Sequence, residues 1–152
     1  MSLNQNQTTE VNDDSVITKY ESFEDMELKD ELLRGIFALG FETPSPIQQT
    51  AIKPFIEGRD LIAQSQSGTG KTATFAISIL QKIKDEQRTQ ALIMSHTREL
   101  STQIHNVFSE LGKYMNYKIC LLSGGTSIRQ NIDELSLNPH IIIGTPGRVL
   151  DM

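Results

Sequence analysis

The 152-residue chain has the length of one domain, and with 38% apolar residues it can bury a core of its own. A lone cysteine, Cys120, excludes an intramolecular disulfide and a cysteine-based zinc site, and it sits in the apolar run 119–122, where packing is its expected role. The net charge of −5 is unevenly spread: residues 1–31 hold nine acidic and two basic side chains and residues 32–152 ten and twelve, so the body neither demands nor excludes nucleic acid.

No apolar run approaches membrane-spanning length, and the polar N-terminus lacks the basic and apolar regions of a signal peptide. A soluble, reducing, intracellular setting is therefore expected, without membrane. Residues 1–22 are rich in Asn, Gln, Thr and acids and read as a disordered tail. Leu28, Leu32, Ile36 and Leu39, joined by Leu33 and Phe37, then recur at helical spacing, and Gly40 stands where a helix C′ residue belongs. Ser45-Pro46-Ile47-Gln48 predicts the next helix start, with Ser45 as N-cap, Pro46 at N1 and Gln48 completing a capping box; Pro54 should break or kink that helix.

Asp60-Leu61-Ile62-Ala63 reads as a strand running into Gln64-Ser65-Gln66-Ser67-Gly68-Thr69-Gly70-Lys71-Thr72, and residues 73–84 continue as a helix. Three more apolar runs, 91–94, 119–122 and 141–143, lack polar alternation, as strands covered on both faces do. Between them Leu100, Ile104, Val107, Phe108 and Leu111 make one helical stripe, and Ile128, Ile132 and Leu135 a shorter one. Strands alternating with helices give an α/β class, a parallel sheet of right-handed βαβ units with helices on both faces. Ligands in such a sheet sit at the carboxyl ends of strands. These are residues 64–72, Ser95-His96-Thr97-Arg98-Glu99-Leu100, Ser123-Gly124-Gly125-Thr126 and Gly144-Thr145-Pro146-Gly147-Arg148, expected along one rim.

The glycine-rich loop carries the most specific chemistry. Backbone N–H groups and the positive end of the new helix would face an anion there, Gly68 and Gly70 would let the backbone approach phosphate oxygens, Lys71 would supply a charge for the β/γ-phosphates, and Thr72 a hydroxyl for Mg²⁺. The general pattern G-x-x-x-x-G-K-[ST] has glycine where this chain has Ser65. A glycine-rich helix cap or plain loop is the bland alternative; nucleotide binding is favoured by the flanking patterns. A guanine-specific or kinase reading lacks both an Asn-Lys-x-Asp sequence and a run of arginines.

With these residues in hand, residues 23–152 resemble the N-terminal part of a DEAD-box RNA helicase of the translation initiation factor 4A type. The resemblance is carried by Phe23, the Q motif from Gly40 to Gln48 (Gly40-Phe41-Glu42-Thr43-Pro44-Ser45-Pro46-Ile47-Gln48), the loop from Ser67 to Thr72, Thr97-Arg98-Glu99-Leu100, Gly124-Gly125 and Thr145-Pro146-Gly147-Arg148. It implies a RecA-like P-loop sheet, incomplete in this chain, and an ATP-dependent helicase that couples ATP hydrolysis to RNA unwinding, with Mg²⁺ as the metal. It implies Phe41 stacked on adenine and Gln48 reading the base edge; from the residues alone, Phe41 is a contact beside the helix start and Gln48 a capping residue. It assigns Ser65, Gln66, Ser67, Gly68, Thr69, Gly70, Lys71 and Thr72 to the nucleotide, Lys71 and Thr72 being the catalytic candidates and Thr72 the metal ligand.

It gives Thr97, Arg98, Gly125, Thr145 and Arg148 to the RNA backbone, for which the arginine fork and close-approaching glycines are suited. A surface ion pair of Arg98 with Glu99 or Glu110, and a charge beyond a turn for Arg148, are the plain alternatives. His96 stands where the family usually has proline.

Hydrolysis in P-loop enzymes needs a carboxylate at a strand end, whereas these strands end in Ser95, Ser123 and Gly144, and Asp85, Glu110, Asp133 and Glu134 fall on helical patterns. In the resembled family the Asp-Glu-Ala-Asp and Ser-Ala-Thr strands and a second domain follow Thr-Pro-Gly-Arg, so this chain is expected to be a fragment inactive alone. A non-enzymatic adenine-nucleotide and RNA-binding module, complete as written, is the alternative. Translation or RNA-processing proteins are the expected partners besides RNA, and the cytoplasm the expected location, with the nucleus as alternative.

Overall fold

The computed structural model describes residues 18–152. The tail expected over residues 1–22 therefore falls mostly outside the described residues; by Tyr20 the chain is tied down, its N–H donating to the Gln49 carbonyl at 3.3 Å. A 3₁₀ turn at Glu24–Met26 sinks Phe23 and Met26 into the core ahead of α1 (Asp30–Ala38). Helix α1 ends where Gly40 was expected to end it: the Gly40 N–H returns to the Phe37 carbonyl and the Phe41 N–H to Ile36, the bond pair of a Schellman ending. Helix α2 (Pro46–Ile56) starts in the predicted capping box, Gln48 Oε1 accepting from the Ser45 N–H at 2.8 Å, and Pro54 falls in its last turn.

Helix α3 (Lys71–Lys82) buries Ala73, Ala76, Ile77 and Leu80 and packs against α2. Lys29 closes its far end, with Nζ 2.6 Å from the Ile83 carbonyl, where a cation meets the negative end of a helix dipole; burial lowers the pKa of this ammonium. Three parallel strands follow, β1 (Ala91–Met94), β2 (Ile119–Leu122) and β3 (Ile141–Gly144), in the order β1-β3-β2. Helices α4 (Arg98–Leu111), α5 (Ile128–Ser136) and α6 (Pro146–Asp151) complete the chain. Ile93, Ile141 and Ile143 share a sheet face and join Phe108, Leu111, Ile36 and Leu80 in the core. The opposite face holds Cys120, in register with Ile142 and capped by Glu134 of α5, whose Oε2 lies 3.5 Å from the thiol. The parallel α/β sheet with helices on both faces is thus present.

Four expectations need correction. Residues 60–63 form no strand: a strand is made by its neighbour's hydrogen bonds, none pairs with this segment among the described residues, and Ile62 is 92% exposed. Strand β1 is covered on one face only; Leu92 and Met94, 55% and 54% exposed, look into an open groove of about 920 Å³ shared with Phe75 and Ile79. The stripe on α5 faces outward, Ile128 and Ile132 being more than half exposed, because the buried position of that helix is taken by Asn131. Asp85 lies in a bend past α3, which ends at Lys82, two residues short of its apolar pattern.

Candidate functional site

The loop of residues 64–70 keeps its shape through its own side chains. Thr69 Oγ1 donates to the Gln66 carbonyl at 2.7 Å and accepts from Ser65 Oγ at 2.6 Å, so the hydroxyl that replaces the usual glycine is used inside the loop. Gly68 and Gly70 have φ of 80° and 87°, which side chains rarely adopt, and a Cβ on Gly70 would lie 2.7 Å from Gln48 Nε2. Lys71 Nζ crosses the loop to the Ser65 carbonyl at 2.5 Å. Since the first-turn N–H groups of α3 have no intrahelical acceptor, the loop presents donors, a helix N-terminus and an ammonium to one spot. These residues fit a phosphate chain. Gln66, Ser67 and Gly68 are exposed; the half-buried Thr72 faces the large groove beside Ser95 and His96, where its hydroxyl could hold a hydrated cation.

The start of α2 is fastened to this loop, a link the sequence did not signal: Ser45 Oγ donates to the Thr69 carbonyl at 2.8 Å. Gln48 is buried, with one acceptor site spent on the Ser45 N–H and one donor directed at the Gly70 carbonyl at 3.5 Å. A carboxamide has two donors and two lone pairs, so one of each remains for a base edge, and capping does not compete with recognition. Phe41 is half-buried at the end of α1, packed against the core.

The other strand ends meet on the same rim. The Ser95 N–H donates to the Gly144 carbonyl at 3.0 Å, and the Thr145 N–H to the Leu122 carbonyl at 3.0 Å. Thr97 is the N-cap of α4, its Oγ1 accepting from the Leu100 N–H at 3.1 Å. Thr145 opens α6 without lending its hydroxyl to the helix. The Arg98 guanidinium lies against the Gly124-Gly125 turn so closely that a Cβ on Gly124 would come within 2.6 Å of it; among the described residues Arg98 makes no ion pair, so neither Glu99 nor Glu110 neutralises it. Gly125 is left-handed, with φ 93°.

Arg148 has a different part: its Nη1 donates to the Thr126 carbonyl, to Thr126 Oγ1 and to Asn131 Oδ1 at 3.0, 3.1 and 2.5 Å. Sequence reasoning missed Asn131, which it could have found only by knowing that α5 turns its isoleucines outward.

Residues 45–152 match the family described as DEAD/DEAH box helicase. The chain belongs to that family. Curated relatives include "Eukaryotic initiation factor 4A" of Caenorhabditis elegans, 58% identical over 133 residues that make up 87% of this chain and 33% of that protein. Another is "ATP-dependent RNA helicase eIF4A" of Aspergillus niger, 50% identical over 157 residues, covering 100% of this chain and 39% of the relative. The chain thus spans about a third of the length of the curated relatives it matches.

Among solved structures, a DEAD box protein from the hyperthermophile Methanococcus jannaschii superposes with a TM-score of 0.83 at 36% identity, over 88% of this chain and 37% of that one. Saccharomyces cerevisiae Dbp5 bound to RNA and ADP BeF3 does so with a TM-score of 0.79 at 38% identity, over 87% and 34%. This DEAD-box chain therefore has the RecA-like fold of its family, and its loop, Q-motif helix and arginines lie on the strand-end rim where that fold places ligands.

Proposed function

We propose that this chain is the part of an ATP-dependent RNA helicase that grips ATP and RNA, and that within a protein of full family length it couples ATP hydrolysis to RNA duplex unwinding in translation initiation, in the cytoplasm. The observation that carries the reading is the crossing of the phosphate loop by Lys71, which holds an ammonium, a helix N-terminus and left-handed glycines around one spot of phosphate size. Adenine stacks on Phe41 and pairs with the unspent donor and acceptor of Gln48. The phosphates lie along residues 65–70 with Lys71 on the β/γ oxygens, and Thr72 is the protein ligand of Mg²⁺, whose positive charge neutralises the phosphates when bound.

RNA is held by its sugar-phosphate backbone. Arg98 supplies an unpaired guanidinium beside a glycine turn that lets the strand come close, Thr97, Gly125 and Thr145 contribute backbone and hydroxyl groups, and Arg148 contributes the part of its fork not spent on Thr126 and Asn131. The names of the curated relatives and the RNA and nucleotide bound by Dbp5 support both halves of the reading.

A fluorescent-nucleotide titration tests it. ATP and ADP should compete and GTP should not, since guanine leaves Gln48 facing mismatched groups at a cost of about 1–3 kcal/mol. Equal competition by GTP would sink the adenine assignment, and absence of any nucleotide binding would sink the whole reading.

A further inference from the structure

Asn131 is 1% exposed, and its carboxamide is tied at both ends. Nδ2 donates to the Leu121 carbonyl of β2 at 3.2 Å; Oδ1 accepts from Thr126 Oγ1 at 3.0 Å and from Arg148 Nη1 at 2.5 Å. The Thr126 hydroxyl shares its proton between Asn131 and the Ser123 carbonyl, 2.8 Å away, and so spans the glycine turn from inside. A single buried amide thereby connects the end of β2, the turn 123–127 and the first turn of α6. The two arginines on this rim are consequently unlike: Arg98 lies on the turn with its fork unengaged, whereas Arg148 is gripped by one nitrogen, leaving Nε and Nη2 without a partner among the described residues.

We propose that Asn131 is a positioning residue for RNA: it fixes the shape of the turn carrying Gly125 and holds Arg148 by Nη1 so that the other edge of its fork is presented to a phosphate. This rests on the RNA reading above. The chemistry requires a carboxamide, because the site needs a donor for Leu121 and an acceptor for Arg148 at once; an aliphatic side chain strands both, and a buried unpaired guanidinium nitrogen is a costly group.

The test compares the unaltered chain with Asn131→Ala, using amide hydrogen exchange and the binding of a fluorescent oligouridylate over a range of salt. Asn131→Ala should speed exchange at residues 123–127 while leaving residues 64–72 unchanged, and weaken RNA about tenfold with nucleotide affinity intact. The salt slope should shrink by about 0.7, the share of one phosphate that Arg148 no longer neutralises, although the substitution removes no charge. Adding Asn131→Ala to Arg148→Ala should weaken RNA no further, because the first substitution acts through the second residue. Should Asn131→Ala fail to fold, Thr126→Val interrupts the same network from its surface end and is read the same way. A lowered melting temperature with unchanged RNA affinity and slope would overturn the positioning role and leave the RNA reading standing; failure of the unaltered chain to bind oligouridylate would remove both.

Discussion

The phosphate loop of residues 64–70 and the turn of residues 123–127 each carry two glycines and each lie on the strand-end rim, yet they are held in different ways. The loop has no paired strand beneath it, and its bonds run mostly among its own residues, Ser65 to Thr69, Thr69 to Gln66 and Lys71 to Ser65, with Ser45 as the one reinforcement from α2. The turn follows β2, which is paired along its length with β3, and is clamped by α4, α5 and α6 through Arg98, Asn131 and Arg148. Local chemistry is sufficient for gripping phosphate at a helix start, because helix N-termini and glycine conformations travel with a short sequence. A surface for a long, weakly distinguished polymer needs several segments fixed to one another, and only tertiary packing supplies that.

The largest effect expected separates gripping from chemistry. Residues 1–152 should release phosphate from ATP in the presence of RNA at least about 10³-fold more slowly than a full-length relative, that being the lower bound of what an arginine finger alone contributes. The strand ends at Ser95, Ser123 and Gly144 bring no carboxylate opposite Thr72, and no group of His, Cys, Asp or Glu among the described residues could hold a metal ion. Robust turnover that vanishes in Lys71→Ala would mean that one of the helix-borne acids supplies the missing group.

A second test of the clamped end reads Cys120 at the middle of β2. Burial, then its contact with Glu134, pushes the thiol up to about 12, so at pH 8 its thiolate fraction, and with it its labelling by a disulfide reagent, should be about 10³-fold below that of the denatured chain. Rapid labelling of native protein would show that β2 opens readily and that the clamped end is not rigid. Burial likewise pushes Tyr117 up to about 12. Between roughly pH 9 and 12 the unfolded chain sheds protons that the folded chain keeps, so stability should fall as pH rises through that window.

Much of the fold was legible, and where it was not the cause is the same contrast. Gly40, Ser45 and Gln48 announced their helix boundaries because capping is a matter of adjacent residues. Residues 60–63 read as a strand and are not one, since strand formation depends on a neighbour that the segment's own sequence does not contain. The outward isoleucines of α5 misled for a related reason: Asn131 is buried by what it bonds to, and hydropathy carries no record of a partner 17 residues away in Arg148. At the phosphate loop each candidate sits where the local pattern put it, while on the rim the difference in role between Arg98 and Arg148 became visible only with the packing.

At the phosphate loop, removing the crossing ammonium should be felt there alone. Lys71→Ala should weaken ATP about 10- to 100-fold, as expected for a charge-assisted bond to phosphate, and leave RNA affinity without nucleotide unchanged. Gly70→Ala should reach the same result by another route, since its Cβ would press within 2.7 Å of Gln48 Nε2 at a φ that alanine resists. An equal loss of RNA binding in either variant would show that the two ends are coupled even without a second domain.

The smallest effect is in the salt dependence of RNA binding, and it weighs the two arginines directly. If Arg98 and Arg148 each neutralise one phosphate of a single strand, log K should fall with log salt at a slope near −1.4, about −0.7 for each phosphate. Arg98→Ala should bring the slope to about −0.7 and weaken all sequences alike, because a guanidinium resting on the Gly124-Gly125 turn faces backbone and not base edges. Arg148→Ala should shift the slope equally and in addition loosen residues 123–127, since only Arg148 holds the Thr126 carbonyl. Equal slopes with unequal amide exchange would thus establish a free arginine and a clamped one on the same rim. A slope several times steeper would mean that phosphates are met by a basic surface elsewhere on the chain, and the division of labour between these two residues would have to be given up.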